Sequence, residues 1–335
     1  MIKKPFLSII IPAYKAEESI IPLLDSAFNS SFKDFEIIVV DDCSPDGTGE
    51  VVKGYGRGVR YHCLRKNAGP AKARNEGAKV ARGEVLLFLD SDVQLYKNTL
   101  KEIANCFQKD PDLYAMTGVW NKVQRSKKFF PRFKALRDWS YWIQERDQRG
   151  YYFLFSTRIA AINRELFLRL GGFNEGYKGA MVEDIEFTYR IAQRYAVIFN
   201  PKMKVRHEFE DFWPIAKKYF FRARDWSKLY LSRRQFDPVA TTKKEFITAL
   251  SAVALPGFLF LGLFWHPFWL GTLIAFLVHL GGVYKFLFFV FKEEGLVFMF
   301  KALVVGWVLY FIIVAGGGIF ALDLLKQKFT SFFLR

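Results

Sequence analysis

The amino-acid sequence predicts an α/β domain, with a mostly parallel sheet covered by helices on both faces, followed by membrane-spanning helices. Two patterns lead to this prediction. Over residues 7–89, short apolar runs typical of buried strands alternate with segments of helical periodicity, which favours a parallel sheet with helices on both faces. Residues 246–335 then contain only nine of the 82 charged side chains, so an almost uncharged segment follows a charged one.

Periodicity and local helix signals predict the individual elements. We predict strands at Leu7–Ile11, Glu36–Val40, Val59–Leu64 and Glu84–Leu89, and helices at Glu17–Asn29, Thr48–Tyr55 and Ala71–Ala81. Most of the strands are continuous apolar runs, as expected for strands that are buried on both faces. In the first helix, apolar residues recur every three to four positions. In the third helix, Ala and Lys have high helix propensity, and Gly83 follows its end.

Composition excludes several classes of protein. The 335 residues are 51% hydrophobic and 24% charged, which fits neither a disordered chain nor a collagen-like one. The three widely spaced cysteines, Cys43, Cys63 and Cys106, form neither a disulfide framework nor a metal knot, so we expect a reducing compartment. The apolar run that ends before Pro12 is shorter than the core of a signal peptide, so we interpret it as the first strand.

Three apolar stretches near the C-terminus each approach the roughly 20 residues that a helix needs to cross a bilayer. They span Phe246–Phe264, about Leu270–Phe291 and about Ala302–Leu322. Lys and Arg are frequent before the first stretch, so the positive-inside rule predicts that this side is cytoplasmic. Three crossings would then leave a basic C-terminus outside, and both two and three spans remain open. We assign 246–325 to the membrane region and 326–335 to a tail.

Acidic residues fall where two of the predicted strands end. Asp41 and Asp42 follow the second strand, and Asp90 and Asp92 follow the fourth. Ligands of parallel sheets bind at the carboxyl ends of strands. Two carboxylates one residue apart favour Mg²⁺ or Mn²⁺, which prefer oxygen ligands and take further oxygens from substrate phosphates. The sequence has neither the dinucleotide-binding glycine pattern nor the P-loop pattern, so a metal would carry more of the phosphate binding.

Five stretches, taken in order, resemble the family 2 glycosyltransferases, whose catalytic domain has the GT-A fold. They are Leu7–Ile20, Phe35–Thr48, Asn67–Asp92, Gly171–Glu175 and Val182–Ile191. The resemblance covers residues 5–210, and we assign 1–210 to the catalytic domain. It implies an inverting transferase that uses a nucleotide-diphosphate sugar and a divalent metal, Mg²⁺ or Mn²⁺.

The resemblance also implies nucleotide and metal contacts. The nucleotide-binding residues would be Pro12, Ala13, Tyr14, Glu17, Asp42, Gly69, Arg74, Asn75 and Asp90. Asp42 would hydrogen-bond the base, and a ring platform beside a strand-end carboxylate favours uridine. Asp92, with Asp90 and His207, would ligate the metal between the phosphates. An ordinary loop histidine is the alternative for His207, and a helix-surface cation is the alternative for Arg74.

Glu183 and Asp184 form a second acidic pair that opens a helix after a glycine-rich loop. As catalytic residues, Asp184 would be the general base that takes the proton of an acceptor hydroxyl, and Glu183 would contact the acceptor or the donor sugar. The structural alternative is an acidic pair that is stabilised by the helix dipole.

Residues 211–245 are predicted to form a basic amphipathic helix and linker at the membrane interface. The apolar stripe of this helix consists of Phe212, Ala216, Tyr219, Ala223, Trp226 and Tyr230. Lys and Arg fall outside the stripe, so the helix would lie in the headgroup layer and attract anionic lipid.

Together these features predict an integral membrane glycosyltransferase of a bacterial or archaeal plasma membrane, with a cytoplasmic catalytic domain. Its partners would be a nucleotide-sugar donor, a lipid or lipid-linked acceptor and the membrane. One alternative is a polyprenyl-phosphate sugar synthase, whose anionic acceptor does not need Asp184 as a base. Another is a non-catalytic protein that binds anionic lipid or nucleic acid. The basic residues cluster near the predicted spans, which favours lipid, and we expect no nucleic-acid partner.

Overall fold

The computed structural model describes residues 4–56, 58–147, 150–177, 179, 181–239 and 242–333. The chain forms two compact units. The first contains Met1–Ser126 and Trp142–Glu208, and the second contains Lys127–Tyr141 and Phe209–Arg335. Two parts of the predicted catalytic range 1–210, Lys127–Tyr141 and residues 209–210, therefore belong to the second unit. Residues 1–3, and residues 334 and 335 of the predicted tail, lie outside the described residues.

Within the described residues, the first unit is built on an eight-stranded mixed sheet. The strands are β1 (Leu7–Ala13), β2 (Phe35–Asp41), β3 (Val59–Cys63), β4 (Val85–Leu89), β5 (Val93–Leu95), β6 (Ala115–Trp120), β7 (Ile159–Asn163) and β8 (Val197–His207). Their order across the sheet is β3-β2-β1-β4-β7-β6-β8-β5. The first four of these pair in parallel, as the apolar runs predicted, and β6 pairs in parallel with β8.

β7 interrupts the parallel arrangement. It lies between β4 and β6 and runs antiparallel to both, and β5 runs antiparallel to β8. An apolar run does not encode strand direction, so sequence periodicity alone did not predict these reversals. Because β7 is reversed, its first residue lies at the edge of the sheet where β1, β2 and β4 end.

The helices agree with their predicted positions where the sequence assigned them. They are α1 (Ile20–Phe28), α2 (Thr48–Tyr55), α3 (Pro70–Val80), α4 (Thr99–Lys109), α5 (Phe129–Ser140), α6 (Arg164–Arg169), α7 (Glu183–Ala192), α8 (Phe212–Arg233), α9 (Lys243–Gly262), α10 (Phe268–Glu294) and α11 (Leu296–Phe333). A short π-helix, Tyr141–Glu145, follows α5. In α1 the predicted apolar face is buried, and the helix begins at Ile20 rather than at Glu17.

The second unit contains three helices that are long and apolar enough to cross a membrane, counted over the residues that the structure describes. The candidate spans are Lys243–Gly262, Phe268–Glu294 and Leu296–Asp323. The third begins at Leu296, several residues before the predicted start near Ala302. Gly295 separates the last two spans with a φ of 85°, a left-handed conformation that glycine adopts without strain.

α8 packs against α11 through small residues. A Cβ atom on Gly316 of α11 would collide with the backbone of Phe220 in α8, so the two helices approach closely. The buried residues of α8 are Ile215, Ala216, Asp225 and Leu229. Of these residues, Ala216 alone belongs to the predicted apolar stripe. The buried face of α8 is therefore rotated about the helix axis relative to that stripe. The interfacial position of α8 remains a prediction.

Candidate functional site

The candidate site lies at the edge of the sheet where β1, β2 and β4 end in parallel. β2 ends at Asp41, directly before Asp42, and β4 ends directly before Asp90. β8 runs in the same direction as β6 and β4, so it ends at the same edge. Its last residue, His207, pairs there with Val93 of β5. The acidic residues predicted from strand ends therefore lie along one edge of the first unit.

Asp92 and His207 face each other at this edge. His207 Nε2 lies 3.4 Å from Asp92 Oδ2, and the exposed fractions of the two side chains are 10% and 51%. Desolvation acts to raise the pKa of the Asp92 carboxyl, but the His207 imidazole and the Arg158 guanidinium hold this pKa below its usual value. Asp92 is therefore a carboxylate at neutral pH and remains half open to solvent.

The Asp92–His207 pair fits part of a metal shell. Among the described residues, no group of three or more His, Cys, Asp or Glu side chains is arranged to hold a metal ion by itself. A carboxylate oxygen and an imidazole nitrogen are suitable Mn²⁺ ligands, and Mg²⁺ would use mainly the oxygen. Such an ion would take its remaining ligands from substrate phosphates and water. Asp90, the other predicted ligand, accepts a hydrogen bond from Arg74 through Oδ1, and its role as a metal ligand stays a prediction.

Arg74 connects the two acidic sites that the sequence identified. Its Nη2 donates to Asp90 Oδ1 at 2.7 Å, and its Nη1 donates to Glu183 Oε1 at 3.0 Å. The side chain is 2% exposed, so Arg74 is a buried bridge rather than a helix-surface cation. Burial acts to lower the pKa of this guanidinium, but Asp90 and Glu183 raise it, so the bridge keeps its charge. A residue of α3 thus holds the end of β4 close to the start of α7.

Asp42 holds the loop that precedes α3. Its two carboxylate oxygens accept hydrogen bonds from the backbone N–H groups of Ala68 (2.7 Å) and Gly69 (2.8 Å). Gly69 has a φ of 92°, which explains why glycine occupies this position. Each oxygen of Asp42 keeps a second lone pair, so contact with a base stays a prediction beside this loop-holding role.

The Asn75 amide bonds the loop before α7, and its predicted place in the nucleotide site stays a prediction. Oδ1 accepts from the backbone N–H of Phe173, and Nδ2 donates to the Phe173 carbonyl and to Glu175, each at 2.9 Å. An added Cβ on Gly172 would lie 2.5 Å from Asn75 Oδ1. Asn75 therefore fixes the glycine-rich loop before α7, and a single sequence gave no signal for this pairing.

The segment after β1 is more open. Pro12 and Ala13 end the strand, and the Tyr14 side chain that follows is 46% exposed, as a platform for a ring would require. Glu17 Oε2 accepts from the backbone N–H of Gly47 at 3.0 Å, so Glu17 also orders the loop before α2.

The two acidic residues at the start of α7 have different environments. Glu183 is 3% exposed, and its oxygens accept from Arg74 and from the backbone N–H of Met181 (2.9 Å). Asp184 is partly exposed, and its Oδ1 accepts from the backbone N–H of Ile185 at 2.8 Å. This arrangement gives Glu183 a structural contact and leaves Asp184 as the more accessible carboxylate.

Sequence reasoning missed Arg158 and Trp120. Ile159 of β7 pairs with Leu89 of β4, so Arg158, one residue before β7, lies at the same edge as the acidic residues. Its guanidinium carbon is 4.4 Å from the centre of the Trp120 ring at the end of β6. The reversed direction of β7 is what brings this cation to the site, and nothing in the local sequence indicated that direction.

Comparison with known proteins identifies similar sequences. Residues 8–170 match the family model described as glycosyl transferase family 2. The chain is 42% identical over 102 residues to the poly(ribitol-phosphate) beta-N-acetylglucosaminyltransferase TarS of Staphylococcus aureus, a match that covers 29% of this chain and 18% of TarS. It is 25% identical over 222 residues to a glucosyl-dolichyl phosphate glucuronosyltransferase of Haloferax volcanii, covering 60% of this chain and 69% of that protein.

A solved structure shares the fold. The mannosyltransferase PcManGT of Pyrobaculum calidifontis, in complex with GDP-Man and Mn²⁺, superposes with a TM-score of 0.60 at 18% identity. The superposition covers 96% of this chain and 88% of that protein. Such low identity supports similarity of the fold, here GT-A-like with additional long apolar helices.

Proposed function

From the family 2 glycosyltransferase domain that residues 8–170 of this chain form, we propose that the chain is a membrane-anchored inverting glycosyltransferase. It moves a sugar from a nucleotide-diphosphate sugar to a lipid or lipid-linked acceptor. The observation that carries the proposal is the buried Arg74, which joins Asp90 at the end of β4 to Glu183 beside Asp184. A donor-side carboxylate and a candidate base are thus connected although 94 residues separate them in the sequence.

The donor occupies the edge formed by β1, β2 and β4. The nucleotide lies against Tyr14, and the loop that Asp42 anchors closes beside it. A half-exposed ring and a carboxylate near a strand end suit a pyrimidine, so UDP is the nucleotide we propose. The structural relative of the same fold was solved with GDP-Man, so a test must include guanosine nucleotides as well.

Asp184 acts as the general base. An acceptor hydroxyl is a weak nucleophile, and a carboxylate within hydrogen-bond distance takes its proton as the bond to the anomeric carbon forms. The partial exposure of Asp184 supports this role. The neighbouring Glu183 is buried and bonded to Arg74, and this bond positions Asp184 at the start of α7. Attack from the side opposite to the departing diphosphate inverts the configuration of the sugar.

Asp92 and His207 are the side chains that would hold a divalent ion when the donor diphosphate is bound. Such an ion, Mg²⁺ or Mn²⁺, offsets negative charge on the leaving nucleoside diphosphate. The half-exposed Asp92 carboxylate and the less exposed His207 imidazole support this role, because they present an oxygen and a nitrogen ligand side by side.

The membrane supplies the acceptor. Three candidate spans and the basic residues that precede them support an integral protein whose catalytic unit faces the cytoplasm. The relative from Haloferax volcanii is named for a dolichyl-phosphate-linked substrate, which supports a lipid-linked acceptor for this chain.

Replacement of Asp184 tests the reaction. The purified full-length protein is incubated with a panel of nucleotide sugars and Mn²⁺, with and without membrane lipid extract, and nucleotide release is followed. We expect Asp184→Asn to lower kcat by about 10²–10⁴-fold, because the acceptor loses its base, while donor affinity stays the same. Glu186→Gln is the matched control, since Glu186 lies on the same helix but pairs with Arg190.

Each outcome has a defined meaning. Nucleotide release that depends on lipid and is lost in Asp184→Asn supports transfer to a hydroxyl. Unchanged turnover in Asp184→Asn, with a lipid phosphate as the acceptor, would favour a polyprenyl-phosphate sugar synthase. Absence of release from every nucleotide sugar tested would contradict the glycosyltransferase proposal itself.

A further inference from the structure

Arg158 occupies the middle of the site edge. β7 pairs with β4 so that Ile159 is opposite Leu89, and one residue further along the register Arg158 comes opposite Asp90. On its other side β7 pairs with β6, whose end carries Trp120. Arg158 therefore lies between the strand end that precedes Asp92 and the strand end that carries Trp120.

The Trp120 ring lies against the Arg158 guanidinium. The guanidinium carbon lies 4.4 Å from the ring centre, within the range of a cation–π contact, and Trp120 itself is 2% exposed. The N–H groups of a guanidinium lie in its own plane and point outward from its edges, so a guanidinium held against a ring face can still bind a second group side by side. Since Trp120 is immobilised in the core, it limits the directions in which Arg158 can point.

Arg158 adds a positive charge to the edge where the donor is proposed to bind, and a positive charge there favours an anionic group of the donor. The register places Arg158 opposite Asp90, at the strand end that leads to Asp92. Arg74, a second arginine of the site, is buried and pairs with Asp90 and Glu183. As the sugar leaves, the departing nucleoside diphosphate gains more negative charge than one divalent ion neutralises, and arginine binds phosphate oxygens in pairs.

We propose that Arg158 binds the diphosphate of the donor and stabilises the charge that develops on it as the sugar leaves. This inference rests on the proposed function. In the reaction, the bond between the anomeric carbon and the diphosphate oxygen breaks, and its electron pair stays on that oxygen. The acceptor oxygen forms the new bond and its proton passes to Asp184. Arg158 donates hydrogen bonds to the leaving diphosphate and exchanges no proton.

The test compares affinity for a nucleoside diphosphate with affinity for its nucleoside. Isothermal titration calorimetry with Mn²⁺ measures UDP and uridine, and GDP and guanosine, on the full-length protein. We expect Arg158→Met to weaken binding of the diphosphate roughly 10- to 100-fold and to leave binding of the nucleoside unchanged, because a charged hydrogen-bond donor to phosphate is lost. Methionine preserves much of the apolar stem that covers Trp120.

Arg169→Met is the matched control. Arg169 ends α6, beyond the opposite end of β7, and its guanidinium carbon also lies near a ring, 5.6 Å from the centre of Tyr195, whose hydroxyl accepts from Nη2. This control removes an arginine–aromatic pair from the same unit without touching the site edge. We expect its ratio of diphosphate to nucleoside affinity to equal that of the unmodified protein.

The outcomes separate this inference from the proposed function. An unmodified protein that binds none of these nucleotides overturns the proposed function and this inference with it. If the unmodified protein binds UDP or GDP, an unchanged affinity ratio in Arg158→Met overturns the role of Arg158 alone. Equal losses for diphosphate and nucleoside also overturn it. If circular dichroism finds Arg158→Met unfolded, Arg158→Lys decides by the same ratio, because lysine keeps the charge but loses the paired donors.

Discussion

Asp92 and His207 are the side chains on which metal use depends. Asp92→Asn keeps the size of the side chain but removes its negative charge. We expect affinity for UDP with Mn²⁺ to fall by at least about tenfold, whereas affinity without metal changes little. Calorimetry in the presence and absence of Mn²⁺ measures both.

Asp110→Asn is a suitable control for this replacement. Asp110 follows α4 and is exposed, and its carboxylate accepts from the backbone N–H of Asp112. A metal-dependent affinity that survives in Asp92→Asn would contradict the assignment of Asp92 as a ligand.

A second residue-scale prediction concerns pH. Glu36 is 7% exposed and accepts hydrogen bonds from Ser8, Arg60 and Arg82. Burial acts to raise the pKa of its carboxyl, but these bonds hold the pKa below its ordinary value of 4.5. The carboxylate thus stabilises the fold above about pH 4.5, and this contribution is lost as pH falls through the lowered pKa.

We therefore expect Glu36→Gln to lower the free energy of unfolding by about 1–3 kcal/mol at pH 7. The difference from the unmodified protein should shrink below pH 4.5. Denaturant unfolding at pH 7 and at pH 4 measures this change, and a difference that grows in acid would contradict the assigned direction of the pKa.

At the scale of elements, the loop before α7 is fixed to α3 by Asn75. Gly171 and Gly172 both have positive φ, 79° and 70°. An added Cβ meets nothing within 4 Å at Gly171 but lies 2.5 Å from Asn75 Oδ1 at Gly172. Gly171→Ala should therefore lower the free energy of unfolding only through backbone strain, by about 1 kcal/mol or more. Gly172→Ala should lower it further, because the new Cβ also displaces Asn75.

The difference between these two variants isolates the Asn75 contact. We expect Gly172→Ala to lower kcat more than Gly171→Ala, since the loop leads into Asp184, and to lower the unfolding midpoint further. Turnover and thermal unfolding of the purified protein provide the comparison, and equal effects of the two variants would count against the contact.

At the scale of the whole molecule, the native cysteines test the proposed orientation. Cys43 and Cys63 are exposed on the first unit. We expect a membrane-impermeant maleimide to label them only after the cells are broken, because the catalytic unit faces the cytoplasm. The double variant Cys43→Ser, Cys63→Ser identifies background labelling, and strong labelling in intact cells would reverse the orientation.

Sequence patterns predicted the parallel half of the sheet and the acidic edge, because apolar runs and strand-end carboxylates are local features. They did not predict that Arg74 pairs with Glu183 or that Asn75 pairs with Phe173, because each partner lies about a hundred residues away in the chain. They also missed Arg158, since its place depends on the reversed direction of β7. Pairing across long separations depends on packing, which a single sequence does not display.

α8 packs closely at Gly316 against α11, a helix that is proposed to cross the bilayer. Electrostatic attraction of its lysines and arginines to lipid is then not what retains the protein. Washing membranes with concentrated salt or alkaline carbonate should leave the polypeptide in the pellet, and only detergent should release it.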